Sequence, residues 1–62
     1  MTPKSLKAWR QRMRWQKKQA AQALDVSENG YADYEDEKRK RRIPRHIALA
    51  CAAIAHGLPP ID

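Results

Sequence analysis

The sequence predicts an all-α domain, a small bundle of four or five short helices. Three observations carry this reading. Apolar residues recur at helical spacing, first as Leu6, Trp9 and Met13, later as Ile47, Ala50, Cys51, Ile54 and Leu58. Helix-start chemistry appears at Thr2-Pro3, Ser27 and Pro44. No run alternates apolar and polar residues as a half-buried strand would, and there is no internal repeat. With 62 residues the chain is one domain at most. So short a chain buries only roughly 60% of the surface it exposes unfolded, so its core is marginal and pairing with a second copy is a natural way to bury more. Residues 1–58 form the domain in this reading and 59–62 a tail.

The first helix spans about 3–13. Thr2 caps it, Pro3 suits its first position, and Lys4, Lys7, Arg10 and Arg12 fall between the apolar residues. The break after it lacks Gly or Pro and is placed where Trp15 falls out of phase with the apolar stripe. A second helix over 17–24 puts Ala20, Ala21 and Leu24 on one face, and Asp25-Val26-Ser27 reads as a tight turn with Val26 tucked inward. Ser27 then caps a third helix over 28–36, whose only large apolar groups are Tyr31 and Tyr34, both assigned to packing. Its acids suit the first turn, but Glu35 to Glu37 sit at the end where the helix dipole disfavours them. Lys38-Arg39-Lys40-Arg41-Arg42 is a solvated loop. The fourth helix covers 44–56, opened by Pro44 and closed by Gly57.

The formal net charge is +6, which favours a polyanionic partner. Its distribution is uneven. Residues 1–27 hold seven Lys or Arg against Asp25 alone, 28–37 hold five acids and no base, and 38–62 hold six bases and only Asp62. A single cysteine permits no disulfide within the chain, and no basic-then-apolar leader marks the N-terminus. The longest uncharged stretch is too short and interrupted to span a bilayer, so the expected location is cytoplasmic. His46, Cys51 and His56 are spaced by five, about 140° apart on a helix, and cannot converge on one metal. Cys51 is read as a small buried hydrophobe. No nucleophile–base grouping fits a chain this small, so neither catalysis, a cofactor nor a small-molecule ligand is expected.

Two short helices joined by a three-residue turn, with helices on either side, is helix-turn-helix geometry. The run Lys17-Lys18-Gln19-Ala20-Ala21-Gln22-Ala23-Leu24-Asp25-Val26-Ser27, followed by Tyr31 and Tyr34-Glu35, resembles the Cro/cI-repressor-like (XRE) family. Those proteins commonly read Gln-x-x-x-Ala-x-x-Leu-Gly-Val-Ser there. The resemblance extends to Leu6, Trp9-Arg10 and Met13 before it and Ile43-Pro44-Arg45 after it. It implies a lambda-repressor-like fold and a DNA-binding transcriptional regulator, a repressor or autoregulator, with helix 28–36 in the major groove. Ala21 has a physical reason to be small, since the two helices cross closely there.

The chain departs from the family pattern in several places. Lys17 stands for the helix-opening Gln, Asp25 for the turn Gly and Glu37 for another common Gly, and the basic loop is a residue or two longer. Asp tolerates a left-handed conformation better than most residues, so the turn survives. The third helix has no outward Arg or Lys, so the commonest specific contact, Arg to guanine, is absent from it. Asn29 remains to pair with adenine, and Glu28 or Asp33 to accept from cytosine N4. Phosphate contacts fall to Lys17, Lys18, Lys38, Arg39, Lys40, Arg41, Arg42 and Arg45.

Residues 47–55 carry no charged or hydrogen-bonding polar side chain, and a helix apolar all round should be covered on more than one side. Ile47, Cys51 and Ile54 face the core in this reading. That leaves Leu49, Ala52, Ala53 and Leu58, with Pro59-Pro60-Ile61, for a homodimer interface centred on Leu49, Ala53 and Leu58. The partners expected are therefore double-stranded DNA and a second copy of the chain, with no membrane. The rival reading is a protein-interaction module that docks its acidic third helix on a basic surface. A membrane-active peptide is disfavoured by the acidic segment, and no RNA-binding motif is present.

Overall fold

Four helices, α1 (Pro3–Arg12), α2 (Lys17–Ala23), α3 (Glu28–Glu35) and α4 (Arg45–Ala55), follow one another in a computed structural model that describes residues 1–59. No strand occurs among the described residues. Each helix lies within a residue or so of its expected span. Pro44 is the residue before α4 rather than its first, and its carbonyl accepts from the Ile47 and Ala48 amides.

The helix starts follow from local chemistry. The Ser5 amide donates to Thr2 Oγ1 at 3.1 Å, while the Thr2 amide donates back to Ser5 Oγ at 2.9 Å, with Pro3 in the first turn. Ser27 Oγ accepts from the Gly30 amide at 3.0 Å. At α2 the Gln16 amide donates to Gln19 Oε1 at 2.8 Å.

Three of the helix ends share one device. After α1, α2 and α4 the chain turns through a left-handed residue: Arg14 at φ 60°, Asp25 at φ 56° and Gly57 at φ 73°. Each closes a pair of hydrogen bonds back to the last turn, as in Asp25 N–H to Gln22 O at 3.2 Å and Val26 N–H to Ala21 O at 3.0 Å. The residue after each is apolar, namely Trp15, Val26 and Leu58.

Leu6, Trp9, Ala20, Ala21, Leu24, Tyr31, Ile43, Ile47 and Cys51 make the core, with Met13, Trp15, Val26, Tyr34, Ala50 and Ile54 packed partly buried against it. Ala20 and Ala21 are buried, as close approach of α2 to α3 requires. Trp9 binds α1 to α4 by donating its ring N–H to the Cys51 carbonyl at 3.1 Å, and Trp15 meets Trp9 edge to face. One assignment needs correction. Leu58 does not continue the apolar stripe of α4; it lies beyond the Gly57 turn and is 61% exposed.

Candidate nucleic-acid interface

The surface of interest is built on α3, the N-terminus of α2 and the loop between α3 and α4. α3 presents Glu28 and Asn29 to solvent at its N-terminal end. Asp33, four residues beyond Asn29 and on the same face, is half-buried. The eight basic residues expected at phosphates are all exposed. Lys17 and Lys18 open α2, Lys38 to Arg42 form the loop, and Arg45 opens α4.

Those eight divide into two groups. Lys17, Lys18, Lys38, Lys40, Arg42 and Arg45 have no carboxylate within salt-bridge distance among the described residues. Arg39 and Arg41 instead lean on α3. Arg39 Nε lies 3.3 Å from Asp33 Oδ1 and 3.7 Å from Asp36 Oδ2. Arg41 Nη1 lies 3.4 Å from Asp33 Oδ2, and its guanidinium sits 5.5 Å from the centre of the Tyr34 ring. Both Asp33 oxygens, offered by the sequence to cytosine, thus hold arginines. The loop is shaped for this by the Asp36 side chain, which accepts from the Lys38 amide at 2.9 Å, and by Lys40 at φ 50°.

A groove of about 580 Å³ runs between Lys7 and Arg10 of α1, Lys17 of α2 and the Asp33–Arg39 segment. Its floor holds a pair that sequence reasoning did not connect. Arg10 Nε donates to Glu35 Oε2 at 2.7 Å and Nη2 to Oε1 at 3.1 Å, with side chains only 13% and 4% exposed. Burial is the largest single influence and disfavours the Glu35 carboxylate, but hydrogen bonding from Arg10, the neighbouring Tyr31 hydroxyl and the charges of Arg10 and Lys17 together outweigh it and hold the group below the usual carboxylate range. Tyr31 lies beside this pair. Burial first, then the adjacent Glu35 carboxylate, as an acceptor within reach and as a charge, pushes its phenol upward, although the hydroxyl makes no hydrogen bond of good geometry. Arg10 and Glu35 both fall within the family-like pattern, but they are 25 residues apart and no spacing rule links them.

Leu49 is 59% exposed and Ala52 exposed, whereas Ala53 is half-buried. Pro60 and Ile61, assigned by the sequence to the same surface, lie outside the described residues. Burial pushes the Cys51 thiol up to about 11, so it stays protonated and unreactive at neutral pH. Among the described residues no group of three or more His, Cys, Asp or Glu is placed to hold a metal ion, and no helix is long and apolar enough to cross a membrane.

No protein-family model matches this chain, nor does any curated protein or solved structure.

Proposed function

We propose that this chain is a DNA-binding transcriptional regulator of the Cro/cI-repressor-like kind, with α3 presented to the major groove. The observation that carries the reading is a set of six exposed cations, without a carboxylate partner among the described residues, on the elements that precede and follow α3. Lys17 and Lys18 open α2, Lys38, Lys40 and Arg42 lie in the loop after α3, Arg45 opens α4, and Lys17 and Lys38 line one groove with the C-terminal end of α3. Phosphate contacts of this kind fix register and orientation, while the base edges fall to Glu28 and Asn29. A homodimer through Leu49, Ala53 and Leu58 would set two α3 helices roughly 34 Å apart on a palindromic site.

Binding of the purified chain to a random-sequence DNA pool, with selection at two salt concentrations, tests this. Neutralising about five phosphates gives a log–log salt slope of roughly −4 to −5. Enrichment of a short palindrome with that slope supports a specific dimeric regulator. Salt-sensitive binding without enrichment reduces the function to nonspecific binding. Failure to bind at low salt removes the reading and turns the search to a basic protein partner for α3.

A further inference from the structure

We infer that Arg39 and Arg41 supply the guanine contact that α3 lacks, and that Asp33 is the residue that positions them. The inference rests on the DNA-binding reading above and deepens it. α3 carries no Arg or Lys. Two guanidinium groups from the following loop are nonetheless held at its surface, by opposite oxygens of one Asp33 carboxylate. Asp33 follows Asn29 by one helical turn, so these groups continue the line that Glu28 and Asn29 begin.

The geometry leaves the arginines able to bind. Arg39 makes its closest approaches through Nε and Arg41 through Nη1, and each guanidinium has five N–H donors. Their side chains remain 66% and 56% exposed. Exposed ion pairs at such distances are weak, so they orient a side chain without withholding it. The Arg41 guanidinium carbon lies over the Tyr34 ring, 5.5 Å from its centre, a contact that limits the rotamers a long side chain would otherwise lose on binding. Guanine O6 and N7 accept the fork of an arginine as a matched pair, and no other base edge does so as well.

The opposing account is that Asp33 and Asp36 merely balance the loop's charge. The two accounts differ in sequence preference. The experiment takes the site selected by the wild-type chain and compares affinity for it with affinity for a version carrying adenine in place of each guanine in turn. Arg39→Gln and Arg41→Gln should each lower the guanine-to-adenine ratio at one position, by roughly 5- to 150-fold where the contact is bidentate. Arg39→Lys and Arg41→Lys should keep affinity for unselected DNA while still losing much of the preference, because an ammonium keeps the charge but not the fork. Asp33→Asn should weaken the same preference and leave affinity for unselected DNA equal or higher.

Arg39 and Arg41 are exposed and Asp33 is half-buried at the same surface, so thermal melts of the arginine variants should match wild type and that of Asp33→Asn should lie close to it. Equal loss on every sequence in the Gln variants, rescued fully by Lys, would make the arginines phosphate contacts only and overturn the inference. So would Asp33→Asn tightening all DNA equally with the guanine preference intact. A wild-type chain that binds no DNA would remove the underlying reading as well, a different result from either.

Discussion

Arg10 grips Glu35 with two parallel hydrogen bonds, 2.7 and 3.1 Å long, while its third nitrogen donates to the Trp15 carbonyl at 3.0 Å. One side chain therefore joins α1, the C-terminal end of α3 and the bend that leads into α2. Removing either partner strands a mostly buried charge, which costs about 3 kcal/mol or more. A domain of this size has about 3–9 kcal/mol in total.

Arg10→Met and Glu35→Leu should each lower the stability by about 3 kcal/mol or more, about a third of the total at the least. The double variant should recover most of the loss, since two apolar groups replace a desolvated pair. Urea melts of the three variants check this. A single variant that melts with the wild type would show the pair to be dispensable.

The same pair sets an acid limit. The folded Glu35 carboxyl titrates below its ordinary value of 4.5, so its contribution is complete above that pH. It is lost as pH falls through the lower folded value, because the unfolded chain takes up the proton first. The melting temperature should drop below about pH 4.5, and Glu35→Gln should start lower at neutral pH and fall less steeply. Parallel slopes in the two proteins would place the acid sensitivity elsewhere.

Tyr31 sets an alkaline limit of opposite sign. Its phenol is raised above the ordinary 10.0, chiefly by burial, so its contribution is present below pH 10 and lost as pH rises beyond it. Tyr31→Phe should remove that loss. It should also be neutral or stabilising at pH 7, because a buried hydroxyl without a hydrogen bond costs about 1–3 kcal/mol in desolvation. A loss above about 1 kcal/mol would mean that the hydroxyl bonds to Glu35 in solution.

Much of this fold is legible in the sequence because its signals are local. Thr2-Pro3, Ser27 and Gly57 announce helix ends through their own backbone and side-chain chemistry, and the buried positions of α4 repeat at helical spacing. The turn at Arg14 has no such mark: an arginine adopts the left-handed conformation there because Trp15 packs on Trp9 and its carbonyl is held by Arg10. The site divides the same way. Exposed cations can be read from a charge run, but Arg39 and Arg41 on Asp33, and Arg10 on Glu35, depend on where the chain returns. Glu35 looked misplaced at a helix C-terminus only while its partner from α1 was out of sight.

Those left-handed residues give a direct stability test. A non-glycine residue there costs about 1–2 kcal/mol, less for Asp, while glycine gives back about 0.4–1 kcal/mol through the unfolded chain. Arg14→Gly should therefore stabilise by up to about 1 kcal/mol, and Asp25→Gly by less. For so small a domain that is a rise of up to about 4–8 °C in Tm. A lower Tm for Arg14→Gly would show that the arginine side chain contributes more than its backbone strain removes.

The proposed dimer has its own test in α4 and the turn that follows it. Among the described residues Leu49 and Leu58 are the two large apolar groups left most exposed, at 59% and 61%, while Ile47 and Cys51 are buried. A charge at Leu49 or Leu58 thus leaves the core untouched but should abolish an apolar contact between copies. Sedimentation should show the wild-type chain pairing at micromolar concentration, and Leu49→Glu and Leu58→Glu as monomers with unchanged helix content. On a palindromic site the variants should lose far more affinity than on a half-site, because the second α3 is no longer delivered by the first. A wild-type chain that stays monomeric at high micromolar concentration, and binds both sites equally, would leave Leu49 and Leu58 as ordinary exposed residues and the regulator as a single-site binder.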